Sequence, residues 1–399
     1  MKKYFIFFIL TLISTTFLGC GGGTSVNDTA ISNSTETEII NELFNLPQNA
    51  QNYSIFPPKI PQDNPITNEK IELGKYLFYD TKLSANQTQS CSSCHLQKSA
   101  FSDHNKVGIG STGEHSLRNP NSLTNTGYYT SYSWANPALT TLERFIILPI
   151  TGDDPIELGV VDEEQEEVLN RFKLDERYQN LFTKAFPDVE NPYTLEYIVK
   201  ALATFLRTLN SFNSKYDKYI RGDKTALNES EIRGMNLFMG EKAECFHCHD
   251  GINFSDSTTN EKSFSNPQFF HNIGLYNING IGSYPDLNQG LFEITQQNSD
   301  KGKFKAPSLR NIELTFPYMH DGSMETLEEI IDLHSNGGRY IESGINAGDG
   351  RNNPYLSDFI TVKNFTQEEK DDLLAFLKSL TDEEFITNQK IANPFAQDE

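Results

Sequence analysis

The chain contains two copies of a C-x-x-C-H pattern, at residues 91–95 and 245–249, about 150 residues apart. This spacing is typical of covalent c-type haem attachment. On a helical turn, two cysteines three positions apart share a face, where they can form thioethers to the two haem vinyl groups. The histidine that follows can then bind the iron. The pattern predicts two haems, held by Cys91, Cys94, Cys245 and Cys248, with His95 and His249 as the proximal iron ligands.

A zinc ribbon and a disulfide framework fit these cysteines less well. A zinc ribbon also uses two C-x-x-C pairs, but it needs no histidine directly after each second cysteine. A disulfide framework is typical of short, cysteine-rich secreted chains, whereas this chain has five cysteines in 399 residues. The fifth cysteine, Cys20, belongs to the N-terminal segment, so no cysteine is left unassigned. We therefore expect haem, and with it redox chemistry.

Residues 1–20 are typical of a bacterial lipoprotein signal peptide. A basic start, M-K-K, is followed by an apolar run to Leu18 that is short for a membrane span. The end of this segment resembles a lipobox, in which Cys20 is acylated. An ordinary cleaved signal is the alternative, because Phe17 stands where leucine is usual. Residues 21–45 predict a flexible tether, so we expect a periplasmic protein with a lipid anchor on Cys20 that attaches it to a membrane.

The charge of the chain argues against nucleic acid as a partner. The formal net charge is -21, and it becomes about -23 without the two lysines of the signal peptide. Such an acidic surface is compatible with a basic electron-donor protein, although a solvated acidic surface is the commoner meaning.

The same helical pattern precedes each haem motif. Residues 68–78 and residues 228–238 both begin with polar capping residues and continue with apolar positions at helical spacing, a glycine and then Leu-Phe. This internal repeat predicts a mainly α fold of two tandem cytochrome c-like haem domains. We place the N-terminal domain at 46–212 and the C-terminal domain at 213–399. Further helices are predicted at 163–186, 195–212 and 366–377, the last beginning with a capping box.

Further short motifs occur in a fixed order between about residues 55 and 385. They are L-G-K-Y-L-F-Y-D at 73–80, F-S-D at 101–103, R-N-P at 118–120, L-E at 142–143, P-I-E-L-G at 155–159, N-F-S-D at 253–256, F-K-A-P-S-L-R-N at 304–311 and P-Y-M-H-D-G at 317–322. In this order, with the two haem motifs among them, the chain resembles the bacterial di-haem cytochrome c peroxidase family, which also contains the MauG-type enzymes.

The resemblance implies a division of labour between the two haems. In this family the N-terminal haem binds hydrogen peroxide and reduces it to water. The C-terminal haem takes electrons from a small c-type cytochrome or a cupredoxin. Glu157 corresponds to the catalytic glutamate, which moves a proton between the peroxide oxygens; a surface carboxylate is the alternative. Trp134, the only tryptophan, corresponds to an aromatic residue between the haems; simple interface packing is the alternative.

Two departures from the family pattern concern the first haem. Ser111 stands where a removable distal histidine is frequent, and serine is a poor iron ligand. We therefore expect this haem to be five-coordinate when oxidised, so that peroxide can bind without prior reduction of the second haem. His104 and His115 flank the position and are the alternative ligands. Phe145 replaces a frequent pocket glutamine, which predicts a less polar pocket.

A third departure concerns the second haem. His334 stands where peroxidases of the family commonly have methionine and MauG-like enzymes have tyrosine. Coordination by His249 and His334 is the prediction, with an exposed helix histidine as the alternative. Because imidazole donates more strongly to ferric iron than a thioether does, this ligand should lower the reduction potential of the haem.

The resemblance also implies a calcium ion at the domain interface. The family binds it through one asparagine side chain and two backbone carbonyls, for which the corresponding residues are Asn119, Thr315 and Pro317. Oxygen ligands suit Ca²⁺, although structural turns alone would also account for these residues. His271 and His320 also stand at family landmarks, where we expect support roles such as hydrogen bonds to haem propionates.

We therefore predict a periplasmic di-haem cytochrome c peroxidase with two covalent haem c groups and one calcium ion. The first alternative is a MauG-like oxidase that acts on a protein or an organic substrate. The second is a non-enzymatic di-haem electron-transfer cytochrome. The oligomeric state stays open between a monomer and a homodimer.

Overall fold

The computed structural model describes residues 41–396, so the predicted signal peptide, its Cys20 and most of the tether lie outside the described residues. Within the described range the chain is mainly helical, as predicted. The only paired strands in this range are β1 (Tyr340–Ile341) and β2 (Gly348–Asp349), which run antiparallel with Tyr340 opposite Asp349. None of the helices between residues 41 and 396 has the length and apolar character needed to span a membrane.

The helices follow one another through both halves of the chain. The first half contains α1 (Asn68–Tyr79), α2 (Cys91–Cys94), α3 (Leu142–Thr151), α4 (Asp162–Leu174), α5 (Glu176–Ala185) and α6 (Leu195–Leu206). The second half contains α7 (Lys215–Ile220), α8 (Glu229–Phe238), α9 (Phe292–Thr295), α10 (Leu327–Asn336), α11 (Gln367–Lys378) and α12 (Glu383–Thr387).

Most helix boundaries have a local cause in the sequence. The predicted capping box before α11 is present, since the Thr366 side chain accepts from the Glu369 backbone N–H. The helical prediction over 163–186 is confirmed, and the chain forms two helices there, α4 and α5, with a break at Asp175. The Asp175 side chain accepts from the Arg177 N–H and so begins a new helix. The predicted helix over 195–212 ends early, at Leu206.

A glycine at a helix crossing occurs once in each half. A Cβ placed on Gly74 of α1 would lie 2.1 Å from the Ala201 carbonyl oxygen of α6. A Cβ on Gly234 of α8 would lie 1.9 Å from the Asp372 carbonyl oxygen of α11. Contacts this short are impossible for a side chain, so only glycine lets these two helix pairs approach so closely. The glycines of the sequence repeat therefore occupy equivalent crossings.

The aromatic packing around the two crossings repeats as well. In each half, one phenylalanine at the end of the sequence repeat contacts two others. One of these lies on the crossing helix and the other follows the haem motif, with ring centroids 5.2 to 6.0 Å apart. The two sets are Phe78, Phe101 and Phe205 in the first half, and Phe238, Phe254 and Phe376 in the second.

The buried apolar residues form two large clusters and one small one. The first large cluster is built mainly from α1 and α3 to α6, and the second mainly from α8, α10 and α11. Many polar contacts connect the halves; for example, the Asn125 side chain donates to the Asn253 side chain at 2.7 Å, and the Thr130 N–H donates to Ser257 O at 3.0 Å. Each haem motif lies beside its own large cluster, with Cys91 against the first and Cys245 against the second.

Candidate haem and catalytic sites

The first haem motif forms α2, and the histidine that follows it is oriented by the backbone. His95 Nδ1 lies 2.9 Å from Phe101 O. A carbonyl oxygen can only accept, so Nδ1 carries the proton and Nε2 keeps its lone pair for a metal. Burial lowers the pKa of His95, which favours the neutral imidazole that binds iron.

The second haem motif repeats this arrangement. Residues Cys245–His247 form a single 3₁₀ turn, and His249 Nδ1 lies 2.8 Å from Phe254 O. Phe101 and Phe254 both have positive φ, 57° and 52°, which turns their carbonyls back toward the histidines. The sequence analysis missed these two carbonyls, although the aromatic residue five or six positions after each motif histidine was a visible signal.

None of the four motif cysteines forms a disulfide, and each is partly buried. Burial is the main cause that raises the pKa of Cys91 and Cys245 to about 12 and that of Cys94 to about 11. A zinc ribbon would instead bring both cysteine pairs to one cluster, whereas here Cys91 packs against the first core and Cys245 against the second. Two thiols and one oriented histidine per motif therefore fit covalent haem and not zinc.

The structure brings His334 and His249 to one cavity. His334 lies in the last turn of α10. Together with Cys245, Cys248 and His249, it lines a mainly apolar cavity of about 230 Å³. Burial, followed by the charges of His249 and Lys363, lowers the pKa of His334 to about 4. His334 is therefore a neutral imidazole in the same cavity as His249, and a neutral imidazole is the form that could bind an iron there.

Glu157 lies in the loop after α3, near the first haem motif. The residue as a whole is exposed, yet desolvation of its carboxyl group by the surrounding protein raises its pKa. Its charge in turn raises the pKa of both Cys91 and Cys94. The structure therefore places the predicted proton-transferring group within electrostatic range of the cysteines predicted to attach the catalytic haem.

The 109–115 loop holds the Glu157 backbone in place. The Ser111 N–H donates to Glu157 O at 2.7 Å, and a Glu114 carboxylate oxygen accepts from the Ile156 N–H at 2.9 Å. A Cβ on Gly110 would lie 1.8 Å from Ile156 O, so only glycine permits this approach. Ser111 is thus packed against the Glu157 segment.

The two histidines that flank Ser111 have other surroundings. His104 stacks on Phe316 with ring centroids 4.2 Å apart, and its Nε2 lies 3.3 Å from Leu314 O. His115 is exposed, and its backbone forms a bridge with Ile109. Neither arrangement involves the first haem motif.

The other residues predicted at the sites are placed as follows. Phe145 stacks against Tyr132 at 6.4 Å in the first core, which makes that wall apolar. His271 Nε2 lies 2.6 Å from an Asp256 carboxylate oxygen. Burial lowers the pKa of His271, but the hydrogen bond to Asp256 is among the interactions that outweigh burial and raise the pKa to about 10. His320 is almost fully buried against Phe304, and its Nε2 has no hydrogen-bond partner.

Trp134 and the three predicted calcium ligands line the same cavity as His249 and His334. The Trp134 indole N–H donates to Asn119 O at 2.8 Å. The Asn119 amide nitrogen donates to Asn105 O and Lys106 O, so its side-chain oxygen remains the group that can accept or bind a cation. The remaining two predicted ligands, Thr315 and Pro317, flank Phe316 directly after the 3₁₀ turn Ile312–Leu314.

Comparisons with known proteins agree with this site. A family model described as di-haem cytochrome c peroxidase matches residues 68–225. The chain is 31% identical over 341 residues to the cytochrome-c peroxidase IdrP1 of Pseudomonas sp. (strain SCT), which covers 82% of this chain and 84% of that protein. It is 31% identical over 379 residues to the methylamine utilization protein MauG of Methylorubrum extorquens, with 93% and 95% covered.

Among solved structures, the chain is similar to a MauG-like protein associated with microbial copper homeostasis. The identity is 49%, the TM-score is 0.84, and the match covers 85% of this chain and 97% of the other. The chain therefore belongs to the di-haem cytochrome c peroxidase and MauG family, which confirms the resemblance seen in the sequence. It is an oxidoreductase of the peroxidase class, and the family carries two haem c groups, which the two motifs fit.

Proposed function

We propose that the protein reduces hydrogen peroxide to water at the first haem motif and receives electrons at the second. The observation that carries this proposal is that one loop contacts both the first motif and Glu157: Ile109 O lies 3.9 Å from Cys94 Sγ, and the Ser111 N–H donates to Glu157 O at 2.7 Å. When bound, the haem supplies the iron redox chemistry that amino-acid side chains lack. The protein contributes binding, orientation and proton transfer.

Glu157 is the proton carrier in this proposal. Its raised pKa lets the carboxylate hold a proton closer to neutral pH than an exposed glutamate does. A carboxylate in this state can accept a proton from one peroxide oxygen and return it to the other. The contacts from Ser111 and Glu114 fix the backbone on both sides of the residue. Ser111 offers no imidazole to block the site, which supports an open first haem in the oxidised protein.

The second motif is proposed to bind its haem between two imidazoles, His249 and His334. Their shared cavity and the neutral state of His334 support this assignment. Trp134 lines the same cavity, so its indole is our candidate for electron transfer toward the first haem. The electron donor is proposed to be a small c-type cytochrome or a cupredoxin, and a basic one suits the acidic chain.

Four finer assignments belong to the same proposal. The repeat of the helix crossings supports two tandem cytochrome c-like domains, 46–212 and 213–399. Asn119, Thr315 and Pro317 are the proposed calcium ligands. The signal-peptide pattern supports a periplasmic location and a lipid anchor on Cys20. The homodimer stays a proposal without a supporting contact.

Electron paramagnetic resonance (EPR) of the oxidised holoprotein, before and after addition of peroxide, tests the proposal. We expect one high-spin signal from the first haem and one low-spin signal from the second, with the high-spin signal lost on peroxide addition. Two low-spin signals that peroxide leaves unchanged would instead identify an electron-transfer cytochrome. Steady peroxide turnover with a reduced c-type cytochrome completes the test.

A second function, that of a MauG-like oxidase acting on a protein or organic substrate, is favoured by one observation. The 49% identity to a MauG-like protein associated with microbial copper homeostasis exceeds the 31% identity to the peroxidase. Rapid peroxide consumption with reduced cytochrome supports the peroxidase. Slow turnover with cytochrome, together with a peroxide-dependent mass change in a co-purified protein, supports the oxidase.

A further inference from the structure

Lys305 is a buried cation that the sequence analysis did not assign to any role. Only 3% of its surface is exposed. Its Nζ donates to Ser131 O at 2.7 Å and lies 3.7 Å from the centroid of the Tyr129 ring. The Lys305 backbone N–H donates to Trp134 O at 2.8 Å, which fixes this segment against the tryptophan.

Among the described residues, no carboxylate forms an ion pair with Lys305. The contrast with its neighbours is clear, because Lys303 pairs with Asp300 at 3.1 Å and the buried Arg310 pairs with Asp217. Desolvation alone therefore lowers the pKa of Lys305 to about 7. A buried ammonium without an anion is unfavourable, so such a residue usually faces a negatively charged partner.

The position of Lys305 indicates where this partner lies. Lys305 lines the cavity that also contains Cys245, Cys248, His249 and His334. An ammonium has three hydrogen-bond donors, and Ser131 O accounts for one of them. Haem c carries two propionate carboxylates, which are the anions that a haem in this cavity would bring.

We propose that Lys305 Nζ binds a propionate of the haem held by the second motif and raises the reduction potential of that haem. A fixed cation near the iron favours the reduced state, because reduction adds one negative charge to the site. The effect of Lys305 opposes that of the imidazole of His334, which lowers the potential. The inference rests on haem binding at the second motif and is independent of the peroxidase reaction.

The test compares three variants of the full-length holoprotein by spectroelectrochemical titration of the low-spin haem. Lys305→Met removes the charge and nearly preserves the length, Lys305→Arg keeps the charge, and Lys303→Met is the matched control two residues earlier. We expect Lys305→Met to decrease the equilibrium constant for reduction about tenfold, a 59 mV decrease for a one-electron couple. The other two variants should change it less than twofold.

A change of less than twofold in Lys305→Met, or an equal change in Lys303→Met, would overturn the proposal and leave Lys305 as a support for Ser131 O. If Lys305→Met does not accumulate with haem, the wild-type holoprotein still provides a test. Resonance Raman spectra in H₂O and D₂O should show an isotope shift of a propionate bending band, because an exchangeable N–H donates to the carboxylate. The absence of a shift would also overturn it. A wild-type protein that lacks the second haem would instead contradict the haem assignment itself.

Discussion

Replacement of Glu157 by glutamine separates proton transfer from the other properties of the first site. Glutamine has nearly the same size and keeps the backbone contacts with Ser111 and Glu114, but it cannot accept a proton. Haem attachment and the spectrum of the oxidised protein should therefore be unchanged. Only the transfer of the proton between the peroxide oxygens is removed.

The expected loss of activity follows from general acid–base catalysis. A positioned side chain contributes typically about 10²- to 10⁴-fold, which is about 3 to 5 kcal/mol in the activation barrier. We expect kcat and kcat/KM for peroxide to decrease together by this factor, because the proton moves only during the reaction. The assay is peroxide-dependent oxidation of a reduced c-type cytochrome.

The same substitution should stabilise the protein at neutral pH. Since the pKa of Glu157 is raised by burial, the neutral carboxyl suits the folded state better than the carboxylate does. Its contribution to stability is fully present below the unfolded pKa of about 4.3 and is lost as the pH rises through the folded pKa. Urea unfolding should therefore show Glu157→Gln as more stable than the wild type at pH 7 and equally stable near pH 4.

Asp153→Asn is the matched control for Glu157→Gln. Asp153 is an exposed carboxylate four residues earlier in the same loop, so its replacement should leave activity within about twofold of the wild type. Equal losses in the two variants would mean that general loop charge matters and not Glu157. Activity of Glu157→Gln within threefold of the wild type would refute the proton-transfer role.

Three further predictions concern the second half of the chain. His334→Ala should convert the second haem from low spin to high spin in the EPR spectrum, whereas His247→Ala should not, and an unchanged low-spin signal would disprove the ligand assignment. Asp217→Asn leaves the buried Arg310 without its partner and should decrease the free energy of unfolding by about 3 to 5 kcal/mol, measured by urea titration at pH 7. Burial raises the pKa of Asp217, but the charge and hydrogen bonds of Arg310 outweigh burial, so the net pKa is lowered. The ion pair therefore stabilises the folded protein above about pH 4, and this stabilisation is lost as the pH falls further. The difference in unfolding free energy between wild type and variant should shrink in acid. Gly234→Ala places a Cβ 1.9 Å from a backbone oxygen of α11, so it should decrease the free energy of unfolding by about 1 to 3 kcal/mol or prevent folding. A variant as stable as the wild type would contradict the close crossing of the helices.

The predicted haem attachment residues follow from the sequence alone because each motif is local. The spacing of two cysteines and a histidine over five residues determines which side chains share one turn, whatever surrounds it. The sequence repeat before each motif was visible for the same reason. The capping box at Thr366 was also correct, since a cap depends on residues only three positions apart.

The tertiary structure decided the remaining features of the site. The reason for Gly74 and Gly234 became clear only when helices far apart in sequence were seen to cross within van der Waals distance. The break at Asp175 was missed because the apolar pattern of α4 and α5 continues across it, while one side-chain cap begins a new helix.

By itself, the sequence determined to which family the protein belongs and predicted which residues attach the two haems, because these properties depend on short motifs and their order. Only the tertiary structure brought Glu157 within electrostatic range of the first motif, brought His334 and His249 to one cavity and buried Lys305 in its wall. Charge and burial act over distances in space and not along the chain. The difference between the two haem sites therefore depends on which distant segments the fold packs around each one.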